Sequence, residues 1–559
     1  MSTPTHGSRR RRYIIPMAAI AAVGAAGGGV VLSGCGSTAA AGSIAASVAG
    51  YIPASSPVYV QVSTDTTGAQ WTQLIDLAQM FPSYGTMEKE LKADLAREGI
   101  SWEKDLRPLL GEAAALATTK MPDTAAVTKG ALTDPAGAAG RALAAAADQP
   151  VLAVMQITEG KSDQVKALLA DPGNGGLKST GDYNGATLLA APAGGMNAAV
   201  TADALIIGSS EAVVKQAIDA HATGGDQALS GVFRFNDAIA LLPKDVFAMA
   251  YVNLEELGKG ALSGIPQVEN LVGGQITGAA AMSLTAQPDG LRMKAVLVDT
   301  PPMTDQKAYT PTLMKNAPAD SVAYLGFNRL ADTVEQALKS AESSSSADTK
   351  KQIDTVLAQA PLLLGVDGAD LKNLTGGEHA VVVTGGEAMP GVSLALKTGN
   401  GAQATSTLTS LSKAIPVLMS TFGGAKGSAK GSVAVDLNGV KGQKLSIGKS
   451  GNVVWGVKGD LAVIGNSAAG AGSVLAPKAG ATLADSKAFQ DATQGMPDQV
   501  TGLAWVNVPK VMTMMAAKGA FAGKDGAERR ENLSHVSGIA AWGTQGENPT
   551  VEVFLGLKK

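Results

Sequence analysis

The chain repeats itself in order, and this limits its fold more than any single motif does. Pro53-Ala54-Ser55-Ser56-Pro57-Val58-Tyr59 returns at an offset of 265 as Pro318-Ala319-Asp320-Ser321-Val322-Ala323-Tyr324. Asp105-Leu106 returns as Asp370-Leu371 at the same offset, and Leu205 to Ser210 is echoed by Ala462 to Ser467. Phe235-Asn236-Asp237-Ala238 matches Phe489-Gln490-Asp491-Ala492, Val252-Asn253 matches Val506-Asn507, and Gly278 to Ala281 pairs with Gly538 to Ala541. Ordered self-similarity over such a span implies two copies of one folding unit. With 559 residues the chain is also too long for one core. Two copies are expected at residues 52–300 and 317–559, joined by a Pro-rich linker at 301–316.

The offset changes along the chain and so locates insertions. Aligning Pro150 with Pro390 and Thr158 with Thr398 gives 240, which puts extra residues of the first copy in the Ala/Gly-rich segment Thr124 to Gln149. Gly208 with Gly465 gives 257, which puts extra residues of the second copy in the loop Gly423 to Ser432.

Hydrophobic periodicity supplies the elements of each copy. Val58 to Ser63 alternates as a strand, and Trp71, Leu74, Ile75 and Ala78 recur at helical spacing, as do Met87, Leu91 and Leu95. Strands follow at Ala113 to Thr118 and Val151 to Ile157, then a helix from Ser162 capped by that serine, and two extended runs, Ala186 to Ala191 and Ala198 to Ile207. Helices at Glu211 to Ala220 and Asn236 to Leu242 precede strands at Phe247 to Asn253, Gly278 to Thr285 and Leu291 to Val298. Strands in adjacent pairs with helices between the pairs predict an α+β fold. Each copy is expected to be an antiparallel sheet with helices on one face, the two copies paired about a pseudo-twofold axis.

Composition excludes several functions. The segment from Met1 to Gly34 holds four Arg and no acid, so without it the chain keeps 41 basic against 48 acidic side chains, a net charge of −7. Nucleic-acid binding needs concentrated Lys and Arg, so no nucleic-acid partner is expected. One Cys excludes a disulfide framework and Cys-based zinc sites.

That Cys has a distinctive position. Arg9 to Arg12 precede an apolar run from Tyr13 to Leu32, the order of an export signal, and fit both the twin-arginine and the general secretory route. The run ends in Leu32-Ser33-Gly34-Cys35, which resembles the lipobox of bacterial lipoproteins. The resemblance implies cleavage of signal peptide 1–34, diacylglyceryl attachment to the Cys35 thiol and a membrane partner on the extracytoplasmic face. The alternative is an uncleaved membrane helix of about twenty residues. Residues 35–51, rich in Ser, Ala and Gly, read as the lipidated Cys and a flexible tether.

Ile52-Pro53-Ala54 leading to Tyr59, Asp65 with Gln70-Trp71, and Asp105-Leu106-Arg107-Pro108-Leu109-Leu110-Gly111 resemble an uncharacterised actinobacterial domain-of-unknown-function family of exported, membrane-anchored proteins. The second copy departs from it, with Asn328 near the Asp65 position and no Trp at the place of Trp71. The resemblance brings an address and a fold, and no catalytic residue.

Motifs for chemistry are sparse. His221, His379 and His535 lack the partners of a metal motif. Lys397-Thr398-Gly399, with Ser101-Trp102-Glu103-Lys104 upstream, is similar to the K-T-G and S-x-x-K of penicillin-binding proteins, but no S-D-N accompanies them. Gly470-Ala471-Gly472 follows a strand, with Leu475 where a dinucleotide fingerprint needs its third glycine. Asp65 reads as a turn or cap residue and Trp71 as core. No catalytic, cofactor or metal residue is therefore assigned. The expectation is a lipid-anchored binding or interaction module with a lipid or protein partner in the envelope, an apolar ligand fitting between helices and sheet. The alternative is an envelope hydrolase whose site forms only in three dimensions.

Overall fold

The computed structural model describes residues 48–97, 99–120, 150–171, 176–192, 196–260, 277–300, 307–328, 330, 366–385, 390–422, 431–447 and 451–558. The signal segment with Leu32, Ser33, Gly34 and Cys35, the segment Thr124 to Gln149, the Ser343 to Ser346 run and nearly all of the loop Gly423 to Ser432 lie outside the described residues. The chain divides into two compact units, Met1–Pro302 with Glu547–Thr550, and Met303–Gly546 with Val551–Lys558.

The first unit runs β1 (Val58–Ser63), α1 (Ala69–Ala78), α2 (Pro82–Arg97), β2 (Leu110–Thr118), β3 (Val151–Ile157), α3 (Ser162–Ala170), β4 (Lys178–Tyr183), β5 (Ala186–Ala190), β6 (Asn197–Val200) and β7 (Ala204–Gly208). It continues with α4 (Glu211–Thr223), α5 (Phe233–Ala240), β8 (Ala248–Asn253), α6 (Leu254–Gly260), β9 (Ala279–Gln287) and β10 (Gly290–Val298). The strands pair antiparallel in the order β4-β5-β6-β7-β3-β2-β1-β8-β9-β10.

The second unit contains β11 (Ala323–Asn328), α7 (Gly368–Thr375), β12 (Glu378–Thr384), β13 (Gly391–Lys397), α8 (Gly401–Phe422), β14 (Val433–Leu437), β15 (Val440–Ser446), β16 (Asn452–Lys458) and β17 (Leu461–Gly465). After these come α9 (Ala468–Leu475), α10 (Lys487–Ala492), β18 (Gly502–Val506), α11 (Val508–Ala517), α12 (Lys524–Ser534), β19 (Val536–Thr544) and β20 (Thr550–Leu557). Its order is β14-β15-β16-β17-β13-β12-β11-β18-β19-β20. Both units thus combine helices with a large antiparallel sheet, an α+β arrangement.

Strand order and register match between the units. Val58 opposes Thr118 and Val252, while Ala323, its counterpart at the offset of 265, opposes Val383 and Val506. Leu152 opposes Gly208, whereas Ser393 opposes Gly465, so β13 follows β3 at an offset of 241 and not of 240. The Pro150/Pro390 and Thr158/Thr398 identities at 240 stand one step out of this register. By hydrogen bonding, Thr398 answers to Ile157, because the amide of each donates to an aspartate carbonyl, that of Asp460 and Asp203 respectively.

Alternation along the strands sends Tyr59 and Tyr251 to one side of the first sheet, where they meet Phe235 of α5 edge to face, at ring-centroid distances of 5.5 and 5.2 Å. Phe489 of α10 meets Trp505 in the same way at 5.7 Å. Helices were expected on one face only, and the structure differs. Val154 is buried with α4 and α5, while its neighbour Met155, on the opposite face, is buried with Val165 and Leu169 of α3. The adjacent buried pair Val154-Met155 in β3 reflects this, since a strand covered on both faces need not alternate. Val48, Ala49, Tyr51 and Ile52 are buried in the first core, so residues 48–51 belong to the folded unit and not to the tether.

Two local readings also change. Lys161, not Ser162, occupies the cap position of α3, and it makes no side-chain cap. The run Ala198 to Ile207 is two strands, and β4 went unseen because its residues, Lys-Ser-Thr-Gly-Asp-Tyr, are nearly all exposed and carry no apolar alternation. The legible signal was Asn184-Gly185, which closes the β4–β5 hairpin with φ of 46° and 82°. Asn438-Gly439 closes β14–β15 with 55° and 82°.

Candidate functional site

Antiparallel pairing sets the first residue of β12 beside the last residue of β13, and so brings Glu378 next to Lys397. A turn from Tyr309 to Lys315 lies over these strand ends. The amides of Thr312 and Leu313 donate to Glu378 Oε1 at 2.7 and 2.8 Å, and Thr312 Oγ1 donates to Glu378 Oε2 at 2.5 Å. Lys397 Nζ donates in turn to Thr312 Oγ1 at 3.3 Å. A hydroxyl, a carboxylate and an amine therefore meet at one point, the residue types of a base-activated nucleophile. Glu378 as a whole is only 7% exposed. Its Oε1 is committed to two backbone amides at the start of the short helical turn Leu313–Lys315, which is how a carboxylate caps a helix. This geometry anchors the turn. It remains the one arrangement among the described residues in which Lys397 finds a chemical context.

The phenols of Tyr309 and Tyr324 lie close to this carboxylate. Burial, reinforced by the charge of Glu378, raises both well above the ordinary tyrosine value, so they stay protonated. His379, next in sequence, points to the other side of the strand and is fully buried, its Nε2 3.2 Å from the Leu374 carbonyl oxygen and its ring stacked with Phe327. Burial lowers its pKa and the bond to Leu374 partly opposes this, so the imidazole is neutral near pH 7.

The other residues singled out by sequence are dispersed. Ser101 begins the helical turn Trp102–Leu106, where its Oγ accepts the Lys104 amide, so the S-x-x-K is a cap in the first unit while Lys397 belongs to the second. Asp65 Oδ1 accepts from the amide and hydroxyl of Thr67, a turn with no cap on α1. Trp71 is half-buried, edge-on to Phe247, with its Nε1 donating to the Ser63 carbonyl oxygen. Gly470 and Gly472 let α9 lie close against the sheet. A Cβ on Gly472 would stand 3.0 Å from the Leu437 backbone, which is a packing role and not phosphate binding. His221 stacks on Tyr51 at 3.7 Å, while the Tyr51 hydroxyl donates to Asp203 at 2.5 Å. That contact pins the start of the first unit to α4 and the β6–β7 turn. Among the described residues no group of three or more His, Cys, Asp or Glu has the geometry to hold a metal ion.

The sequence singles out Lys397 through its K-T-G and gives no sign of Thr312 or Glu378. The latter two lie 66 positions apart, and no local pattern announces such a contact.

A family described as Protein of unknown function (DUF3352) matches residues 15–552. The chain belongs to this family. The match extends over both units, and the family's description assigns no activity. No curated protein matches the chain. Solved structures of TP0453 resemble it, with crystal form III at 10% identity over 44% of this chain and 78% of that one, and a TM-score of 0.23. Crystal form IV stands at 11% identity over 46% and 83%, with the same score.

Proposed function

We propose that this family member is an exported lipoprotein of the bacterial cell envelope, acylated at Cys35 and held on the extracytoplasmic face, whose body is a binding or interaction module. The observation that carries the reading is Leu32-Ser33-Gly34-Cys35, closing an apolar run that follows four arginines and containing the sole Cys of the chain. Two acyl chains, at about 0.8 kcal/mol per buried methylene, suffice for stable attachment. We further propose that the two units arose by duplication. The shared strand order and the repeated Asn-Gly hairpins support the duplication. An apolar ligand between α5 and the first sheet is disfavoured, because Phe235, Tyr59 and Tyr251 fill that space.

Mass spectrometry of the intact protein from membranes tests the anchor. The expected mass is that of the chain from Cys35 onward plus acyl groups, and Cys35→Ala is expected to block processing or to release the body. An unmodified mass together with unchanged membrane retention would overturn the reading.

The hydrolase reading rests on the Thr312–Glu378–Lys397 contact. It takes second place because Glu378 is already engaged by two amides. If Thr312→Val abolished a hydrolytic activity of the purified protein while its melting temperature held, the order of the two readings would reverse.

A further inference from the structure

An inner strand of the second sheet buries a hydroxyl for which the same strand of the first sheet has a partner and this one has none. In the first unit the Tyr59 hydroxyl donates to the side-chain oxygen of Gln61 on β1. Gly326 holds the ladder position of Gln61, since Gln61 opposes Ala115 and Gly326 opposes Ala380, its counterpart at the offset of 265. Tyr324, the counterpart of Tyr59, is 1% exposed, and its hydroxyl has no hydrogen-bond partner among the described residues. Neither has the hydroxyl of Tyr309, which is 8% exposed and comes from the turn before β11.

The two hydroxyls converge. A Cβ on Gly326 would lie 2.8 Å from that of Tyr324 and 2.9 Å from that of Tyr309. Two oxygens so placed stand at most about 5.7 Å apart, and one water bonded to each at about 2.8 Å bridges such a gap. Both rings hang from fixed backbone. Tyr324 stands in the ladder between Val382 of β12 and Trp505 of β18, and Tyr309 exchanges both of its backbone hydrogen bonds with Val500, each at 2.9 Å. A buried hydroxyl left without a partner costs more than a typical hydrogen bond gains, and two at one point would remove a large share of the small net stability of a folded unit.

We infer that the second unit binds one structural water between the Tyr309 and Tyr324 hydroxyls, where it does for Tyr324 what the Gln61 side chain does for Tyr59. Such a site is independent of the lipid anchor. The chemistry around it selects water. Burial, reinforced by the charge of Glu378, keeps both phenols protonated, so each can donate and accept. Glu378 already accepts from the amides of Thr312 and Leu313 and from the Thr312 hydroxyl, which leaves no surplus negative charge to draw a cation, while the carboxylate repels an anion. A neutral molecule with both donors and acceptors remains, and buried waters ordinarily serve polar groups of this kind. Bound there, it ties the turn Tyr309 to Lys315 to β11, next to the hold that Glu378 has on the same turn.

The test pairs a high-resolution crystal structure of the full chain with melting curves of Tyr309→Phe, Tyr324→Phe and the double variant. The crystal is expected to show a single solvent peak at hydrogen-bond distance from both hydroxyls. Density for a larger molecule, or the two hydroxyls bonded to each other or each to a protein group of its own, would overturn the inference. Each single variant is expected to melt a few degrees lower than the parent, because it takes a partner from the water and from the other phenol. The double variant, which needs no water, is expected to melt no lower than the worse single. Single variants that melt higher would mean that the hydroxyls have no partner at all. Losses that add in the double variant would mean that they have separate partners. Either result overturns the shared water, and Tyr→Phe keeps the ring, so the fold survives to be measured.

Discussion

Tyr59 donates its hydroxyl to the side-chain oxygen of Gln61, two residues along the same strand, with both groups sealed in the first core. Tyr324 and Gly326 stand at the same ladder positions of the second unit, and there the tyrosine hydroxyl finds no hydrogen-bond partner among the described residues. A Cβ at Gly326 would lie 2.8 Å from the Tyr324 hydroxyl and 2.9 Å from that of Tyr309, so a second tyrosine occupies the space that a side chain takes in the first unit. Gln61→Leu is expected to strand the Tyr59 hydroxyl and cost about 1–3 kcal/mol. The double variant Tyr59→Phe/Gln61→Leu is expected to recover most of it. Chemical denaturation of the three proteins checks this, and an additive double variant would contradict it.

Ring size and neighbour size trade off between the units. Gly538 stands where an added Cβ would come within 2.1 Å of the Trp505 ring. In the first unit the buried pair is Tyr251 with Ala279, a smaller ring beside a larger neighbour. Gly538→Ala is expected to destabilise by about 1–3 kcal/mol through overpacking. Adding Trp505→Tyr is expected to restore much of the loss, and a thermal melt of both variants decides the matter.

Acid should weaken the second unit through His379. Its folded-state pKa lies below the unfolded value of about 6.5, because burial disfavours the charged ring. The unfolded chain then binds the proton more readily. The neutral ring's contribution is complete above the unfolded value and declines as pH falls from there toward the folded value. Melting temperatures at pH 7.5 and pH 5.5 are expected to converge in His379→Phe relative to the parent. An unchanged pH difference would show that other groups carry it.

The hairpin turns offer a backbone test. Gly185 holds φ at 82°, a conformation that costs an L-residue about 1–2 kcal/mol. Gly185→Ala is expected to lower stability by that amount, while Asn184→Gly is expected to be nearly neutral, as followed by denaturant midpoints.

Much of the architecture was legible because it is written in local periodicity and repetition. The alternation of Val58 to Ser63, the helix expected at Asn236 to Leu242, which the structure shifts to Phe233–Ala240, and the paired segments anticipated strands and helices that the structure contains. β4 escaped because an exposed polar strand has no apolar signature. Met87 kept the spacing of a buried stripe yet is 54% exposed, because spacing shows that a face exists and not that anything covers it.

By itself the sequence determined the elements, the ordered self-similarity and the expectation of an anchor at Cys35, since each is encoded in residues near one another along the chain. Only the tertiary structure decided which strand faces are covered, that β3 is packed on both sides, and that Thr312, Glu378 and Lys397 meet. Those facts depend on contacts between residues tens to hundreds of positions apart, whose closure is set by packing of the whole sheet and leaves no trace in any single window of sequence.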